Sequence, residues 1–301
     1  MEGYPQAEAP AVKSAPSLMR SFSTTLEMIK FSHTIFALPF ALLSAVLAAR
    51  GLPDGPTLLK IVLAMAGARS AAMAHNRLAD REIDGANPRT AARALPAGLL
   101  RVGFVRTFLV ASIVLFLGAA ASLNRLTLWL SPVALALLLF YSYTKRFTFL
   151  SHLVLGLCLA LAPVGAWIAV RGSLEALPIL LGLAVLFWTA GFDVLYALQD
   201  EEHDRLVGLR SIPAQFGARR ALWISGALHL AMAALLVEVW RLSGGGVIFL
   251  AGIVLTGAAL LYQHAIVRPG DLSRINAAFF TANGFVSMTL CLCGIAQVTV
   301  R

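Results

Sequence analysis

Charge is what this sequence has least of. Only 13% of its 301 residues are Asp, Glu, Lys or Arg, and 59% are apolar, where a soluble domain carries roughly 25% charged and about 45–50% apolar residues. With a mean hydropathy of +0.80, the chain cannot cover a water-facing surface, which excludes a soluble enzyme. Cysteine is nearly absent. Cys158, Cys291 and Cys293 lie inside apolar runs without metal-ligand or disulfide spacing, so they read as small buried hydrophobes. Short segments of alternating hydrophobicity are missing too, which excludes a membrane-spanning β-barrel. Residues 1–26 are mixed polar and small, with Pro5, Pro10 and Pro16. They lack the basic start, short apolar core and cleavage site of a secretory signal. They are expected to form a disordered cytoplasmic tail ahead of one domain over 27–301.

What the chain has in abundance is long apolar runs, the length of a helix that crosses a bilayer. Nine are expected, at 29–49, 58–79, 103–122, 126–143, 150–170, 175–199, 219–240, 245–266 and 274–298. The predicted fold class is all-α: a polytopic bundle of nine transmembrane helices around a central cavity. The net charge of +9 does not point to nucleic acid, because no basic surface stands apart from the loops. Near the ends of those spans and in the loops, 17 of the 24 Lys and Arg fall on one side, from Lys13 to Arg274, and 6 on the other, with Arg69 alone midway along a span. The split alternates loop by loop and puts the N-terminus and the cavity mouth in the cytoplasm.

Two acidic motifs stand at that same face. The second span ends in Asn76-Arg-Leu-Ala-Asp80-Arg-Glu-Ile-Asp84, and the sixth in Asp193-Val-Leu-Tyr196-Ala-Leu-Gln-Asp200-Glu-Glu-His-Asp204. On a regular helix, residues at i, i+4 and i+8 share a face, as do those at i, i+3, i+7 and i+11. Asn76, Asp80 and Asp84 would form one polar stripe, and Asp193, Tyr196, Asp200 and Asp204 another. A single acidic run at a membrane boundary is usually a solvated helix end. Asp193, however, follows the apolar stretch from Leu180 to Phe192, and a carboxylate at membrane depth is costly and marks function. Two carboxylate stripes on one face can hold a hard divalent cation through oxygen ligands, and Mg²⁺ binds through a few carboxylates plus substrate phosphates.

The pair NxxxDxxxD and DxxYxxxDxxxD resembles the signature of the UbiA superfamily of intramembrane prenyltransferases, without a departure, and the likeness extends over nearly the whole chain. The resemblance implies a prenyltransferase whose carboxylates bind Mg²⁺, which grips the diphosphate of a polyprenyl diphosphate. Carried over by position, Asn76, Asp80, Asp84, Asp193, Asp200 and Asp204 are the metal ligands, and Tyr196 lines the catalytic site with the five acids. It also implies a small aromatic carboxylate as acceptor. The stretch from Arg69 to Asp84 is similar to bacterial 4-hydroxybenzoate polyprenyltransferases, which implies quinone biosynthesis in a bacterial inner membrane. In Arg89-Thr-Ala-Ala-Arg-Ala-Leu-Pro96, Ala92 and Ala94 depart from the ubiquinone-pathway pattern and leave a dihydroxynaphthoate acceptor of menaquinone synthesis open. A cation-coupled transporter is the alternative of another class, but it would place its acids near the midplane at broken helices.

Basic residues follow the acids. Arg89 and Arg93 lie just beyond the first motif, and Lys145 and Arg146 lie in the fourth-to-fifth loop, where the family also carries a basic pair. These four are the candidate diphosphate contacts, since Arg matches phosphate oxygens with a planar fork of donors. Arg101, Arg106, Arg219 and Arg220 are assigned to positive-inside bias alone. Lys30, opening the first span, and Arg69, seven residues before Asn76, are the candidate acceptor-carboxylate contacts. His75 and His203 adjoin the motifs without ligand spacing. His152, His229 and His264 read as helix-end or interior residues.

Overall fold

The computed structural model describes residues 24–25, 27–29 and 36–300. Among them, eight helices are long and apolar enough to span a membrane, and a ninth apolar helix is shorter. They are α1 (Leu38–Ala49), α2 (Gly55–Ala79), α3 (Val102–Leu123), α4 (Arg125–Thr144), α5 (Ser151–Arg171), α6 (Ala176–Ala197), α7 (Ala218–Leu242), α8 (Val247–Ile266) and α9 (Asn283–Thr299). Nine apolar helices thus stand where nine spans are expected. The first is seen only from Leu38, and Lys30 lies outside the described residues.

Helix ends follow local chemistry. Asp54 accepts the Thr57 N–H at 2.9 Å, with Pro56 at the first turn of α2, and Asn124 does the same for Thr127 at the start of α4; such side chains satisfy donors the helix leaves open. Asn124 also donates to the Ile168 carbonyl at 2.7 Å, tying the start of α4 to the end of α5. Gly172 ends α5 in the left-handed region, at φ 67.

Packing is by neighbouring pairs: α2 on α3, α5 on both α1 and α6, α6 on α7, and α8 on α9. At two glycines the backbone of a neighbouring helix leaves no room for a Cβ. A Cβ on Gly67 would meet the backbone of Ser112 and Phe116 on α3, and one on Gly156 would meet the Leu186 backbone on α6, the small-residue close approach common between membrane helices. The main core gathers Phe40, Leu43, Trp188, Leu236, Phe249 and Leu290 around α6. By contrast, Val110, Val114, Trp129 and Val133 on α3 and α4 are wide open, as expected of faces that meet lipid tails.

Chain segments between α2 and α3, α4 and α5, and α6 and α7 collect at one end of the bundle and carry three short helices, Arg81–Ala86, Glu201–Val207 and Ile212–Phe216. Before α9 the chain makes a π-helical turn, Ala277–Ala282. Its freed carbonyls are taken up inside the core: Gln263 Nε2 donates to Ala278 O at 2.7 Å and Asn283 Nδ2 to Phe279 O at 2.8 Å, while Trp188 Nε1 donates to Asn283 Oδ1 at 3.1 Å.

Candidate active site

Neither acidic motif runs on one regular helix, which corrects the expected unbroken stripes. In the first, α2 ends at Ala79, Asp80 sits at φ −97, ψ 8, and Arg81–Ala86 begins anew. The second breaks alike: α6 ends at Ala197, Leu198–Asp200 form a 3₁₀ turn, and Asp200 at φ −106, ψ 4 leads into Glu201–Val207. Both middle acids occupy the bridge region, sparsely populated and frequent at active sites. Aspartate is a weak helix former, and each middle acid bonds to a cation from elsewhere in the chain. In the first motif helical bonding carries across the break, Asp80 N–H to Asn76 O at 2.9 Å and Asp84 N–H to Asp80 O at 2.7 Å.

The breaks open onto a cavity of about 890 Å³, at the upper end of the roughly 300–1,000 Å³ of small-molecule sites. Asn76, Asp80, Asp84, Asp193, Tyr196, Asp200 and Asp204 all line it, together with Arg69, Arg89, Arg93 and Lys145. Below these groups the wall is apolar and runs down to Ile61 and Leu123 toward the far end of α2 and α3. Of the expected site, Arg146 stands outside the lining but still reaches Asp80, and Lys30 is not described. Arg101, Arg106, Arg219 and Arg220 are exposed and take no part.

Within the cavity Asp80, Asp84, Asp193 and Asp200 are each held by a different partner. Asp80, almost fully buried, accepts from Lys145 Nζ at 2.7 Å and Asn76 Nδ2 at 3.0 Å on one oxygen, and its other oxygen lies 3.5 Å from Arg146 Nη2. Asp84 is clasped by Arg93 at 2.6 Å, with Arg77 at 3.7 Å from its second oxygen. That second oxygen is buried without a hydrogen-bond partner. Arg89 spans the two motifs, donating through Nε and Nη2 to Asp200 at 2.8 and 2.5 Å, and Asn87 adds a bond at 3.3 Å. Burial works against the Arg89 charge, but the hydrogen bonds and charge of Asp200 outweigh it and raise its pKa above the ordinary value. Its guanidinium also lies 5.6 Å from the Tyr196 ring centre, while Phe279 packs on that ring at 4.1 Å. Asp193 Oδ2 meets His152 Nδ1 at 2.7 Å.

Among the described residues no three His, Cys, Asp or Glu side chains are drawn close enough to hold one ion. The structure therefore brings both motifs to one cavity wall and closes Asp80, Asp84 and Asp200 against basic side chains.

Several residues of the site escape a reading by sequence. His152, expected to be a helix-end or interior residue, lines the cavity. Arg77, inside the first motif yet counted only toward orientation, is buried beside Asp84. Thr90 Oγ1 donates to the Asp84 carbonyl at 2.9 Å, and Phe279 reaches the site from the π turn. Only Arg77 and Thr90 lie within a motif or its basic loop and so could be flagged.

The model of the UbiA prenyltransferase family matches residues 37–286. A curated 4-hydroxybenzoate octaprenyltransferase from Yersinia enterocolitica is 35% identical over 247 residues, covering 82% of this chain and 85% of that protein. The same-named protein of Yersinia pseudotuberculosis serotype O:3 is 36% identical over the same spans. Among solved structures, the apo form of a UbiA homologue from Aeropyrum pernix K1 superposes with TM-score 0.80 at 34% identity, covering 88% of this chain and 97% of that one. A UbiA homologue from Archaeoglobus fulgidus, solved bound to DMAPP and Mg²⁺, gives TM-score 0.68 at 22% identity over 92% of this chain and 100% of that one, a likeness of fold.

Proposed function

Because this chain belongs to the UbiA prenyltransferase family, we propose that it transfers a polyprenyl group from a polyprenyl diphosphate to 4-hydroxybenzoate, with Mg²⁺, in quinone biosynthesis. One observation carries the reading: two acid motifs 120 residues apart in sequence, together with the basic side chains paired to them, converge on the polar mouth of a cavity whose body is apolar. The names of the curated relatives support the acceptor.

The donor set fits Mg²⁺. It consists of the hard oxygens of Asp80, Asp84, Asp193, Asp200 and Asp204 with the Asn76 amide, and one buried Asp84 oxygen has no hydrogen bond of its own. These residues would hold the ion, and it would supply neutralisation of charge on the departing diphosphate, the kind of stabilisation that dominates many catalysed reactions. Arg89, Arg93, Lys145 and Arg146 supply guanidinium and ammonium donors for the phosphate oxygens, released from the carboxylates they now hold. Tyr196 forms part of the wall beside Asp200, backed by Phe279. The apolar body takes the isoprenoid and keeps water from the allylic cation until the ring attacks beside its hydroxyl and then loses the proton from that carbon. Arg69, within α2 and on the cavity wall, and Lys30 at the start of the first span bind the acceptor carboxylate. The mouth faces the cytoplasm of a bacterial inner membrane, as the Lys and Arg asymmetry supports, and the outer faces of the bundle meet lipid.

A second acceptor is favoured by one feature. The loop carrying Arg89 and Arg93 has Ala92 and Ala94 where the ubiquinone-pathway pattern differs, which suits a dihydroxynaphthoate, also a hydroxylated aromatic carboxylate. Membranes containing the protein, given radiolabelled polyprenyl diphosphate and Mg²⁺ with 4-hydroxybenzoate and 1,4-dihydroxy-6-naphthoate in parallel, decide between them. Faster prenylation of 4-hydroxybenzoate supports the proposal, and exclusive use of the naphthoate replaces the acceptor while keeping the reaction class.

A further inference from the structure

His152 belongs to neither motif, yet it joins the second motif to the chain that follows it. It sits in the first turn of α5, 4% exposed. Its Nδ1 lies 2.7 Å from Asp193 Oδ2, and its Nε2 accepts the Ile212 backbone N–H at 3.2 Å. The second contact fixes the first. A backbone N–H can only donate, so Nε2 carries no proton, the ring is neutral, and Nδ1–H donates to the carboxylate.

The donor that sets this tautomer is itself held in place. Ser211 caps the short helix Ile212–Phe216 by accepting the Ala214 N–H at 3.3 Å. The preceding residue, Arg210, donates its N–H to Lys145 O at 2.8 Å and its Nη1 to Phe147 O at 2.9 Å. The imidazole is thus fixed by two loops that meet over the cavity mouth.

Asp193 also differs from the other paired acids in kind. Asp80, Asp84 and Asp200 face ammonium or guanidinium groups. Asp193, among the described residues, faces only this neutral ring. A neutral donor orients a carboxylate without cancelling its charge. We propose that His152 is a positioning residue: it holds Oδ2 so that Oδ1, which has no hydrogen bond among the described residues, presents an uncompensated negative charge to the cation of the site. Hydrogen-bonded outer partners of this sort are worth roughly 10–100-fold in metal affinity.

The inference rests on the reading of Asp193 as a cation ligand, and the test separates the two. Mn²⁺ binding to the purified full-length chain is measured by electron paramagnetic resonance, in the presence of an unreactive isoprenoid thiolodiphosphate. His152→Leu and Asp193→Asn are compared with His152→Asn, whose amide N–H replaces Nδ1–H. Metal-free thermal midpoints establish folding. Should His152→Leu not fold, His152→Phe takes its place, keeping a planar ring without nitrogens. The expected result is a Kd for Mn²⁺ raised 10–100-fold in His152→Leu, at least as much in Asp193→Asn, and within about 3-fold of the parent in His152→Asn. A parent-like Kd in His152→Leu beside a weakened Asp193→Asn overturns the role of His152 alone. Parent-like binding in Asp193→Asn overturns the ligand reading beneath it. His152→Asn as weak as His152→Leu overturns the donor argument.

Discussion

Asp80→Asn separates what the first motif does for the fold from what it does for turnover. The substitution keeps the shape of a side chain that is 2% exposed and removes one negative charge. In the parent, one oxygen takes Lys145 at 2.7 Å and Asn76 at 3.0 Å, and the other faces Arg146 at 3.5 Å. At an effective dielectric near 20, the Lys145 contact alone is a gross attraction of about 6 kcal/mol. Most of this is not net stability, because desolvation offsets it. Breaking a fully enclosed pair costs roughly 3–5 kcal/mol through the charge left behind. Here the Lys145 and Arg146 side chains are 32% and 40% exposed and can turn to water, so the net loss is about 1 kcal/mol, a fall of a few degrees in Tm. Turnover loses more: removing one preorganised charge-stabilising group typically costs ~100–1,000-fold in kcat, about 2.7–4 kcal/mol. Prenyl transfer and thermal unfolding are measured on the same reconstituted preparation. Activity within 5-fold of the parent in a folded protein would refute the placement of Asp80 in the catalytic centre.

Chelation should behave differently from unfolding. Because Asp80, Asp84 and Asp200 are already closed against protein cations, EDTA should abolish turnover while leaving the helical circular dichroism and Tm nearly unchanged, and added Mg²⁺ should restore activity. Arg69→Ala should raise the acceptor KM roughly 10–100-fold, the ~1.5–3 kcal/mol of a charge-assisted hydrogen bond, and leave the KM for polyprenyl diphosphate alone. An unchanged acceptor KM would remove the carboxylate-binding role. Gly156→Ala should destabilise by about 1–3 kcal/mol, because its Cβ would drive into the Leu186 backbone on α6. Gly257→Ala, with nothing within 4 Å, should be close to neutral in the same melting assay.

The helices were legible because a membrane span must be long and continuously apolar, and the termini of α2 to α8 lie within a few residues of the expected runs, whereas α9 starts at Asn283, well after the expected 274, because the π turn Ala277–Ala282 precedes it. The two motifs were legible because their spacing is local. What local spacing misled was the backbone: counting by fours assumes a continuous helix, whereas Asp80 and Asp200 break it to meet Lys145 and Arg89. Partners were hidden for the same reason. Arg89 and Asp200 are 111 residues apart, and His152 and Asp193 are 41; no periodicity links such pairs until α5 has packed on α6 and the loops have met at one end. Phe279 reaches Tyr196 only through a π turn held by Gln263 and Asn283, an irregularity that an apolar run does not announce.

The most direct test uses the purified full-length chain in liposomes with Mg²⁺, a polyprenyl diphosphate and radiolabelled 4-hydroxybenzoate, scoring prenylated product and released diphosphate in the same sample. The two should appear in equal amounts, and both should fall at least 100-fold in Asp80→Asn and Asp200→Asn. Absence of prenylated product with 4-hydroxybenzoate, in liposomes where the protein is folded, would contradict the proposed acceptor. Equal product from the parent and both variants would contradict the proposed site.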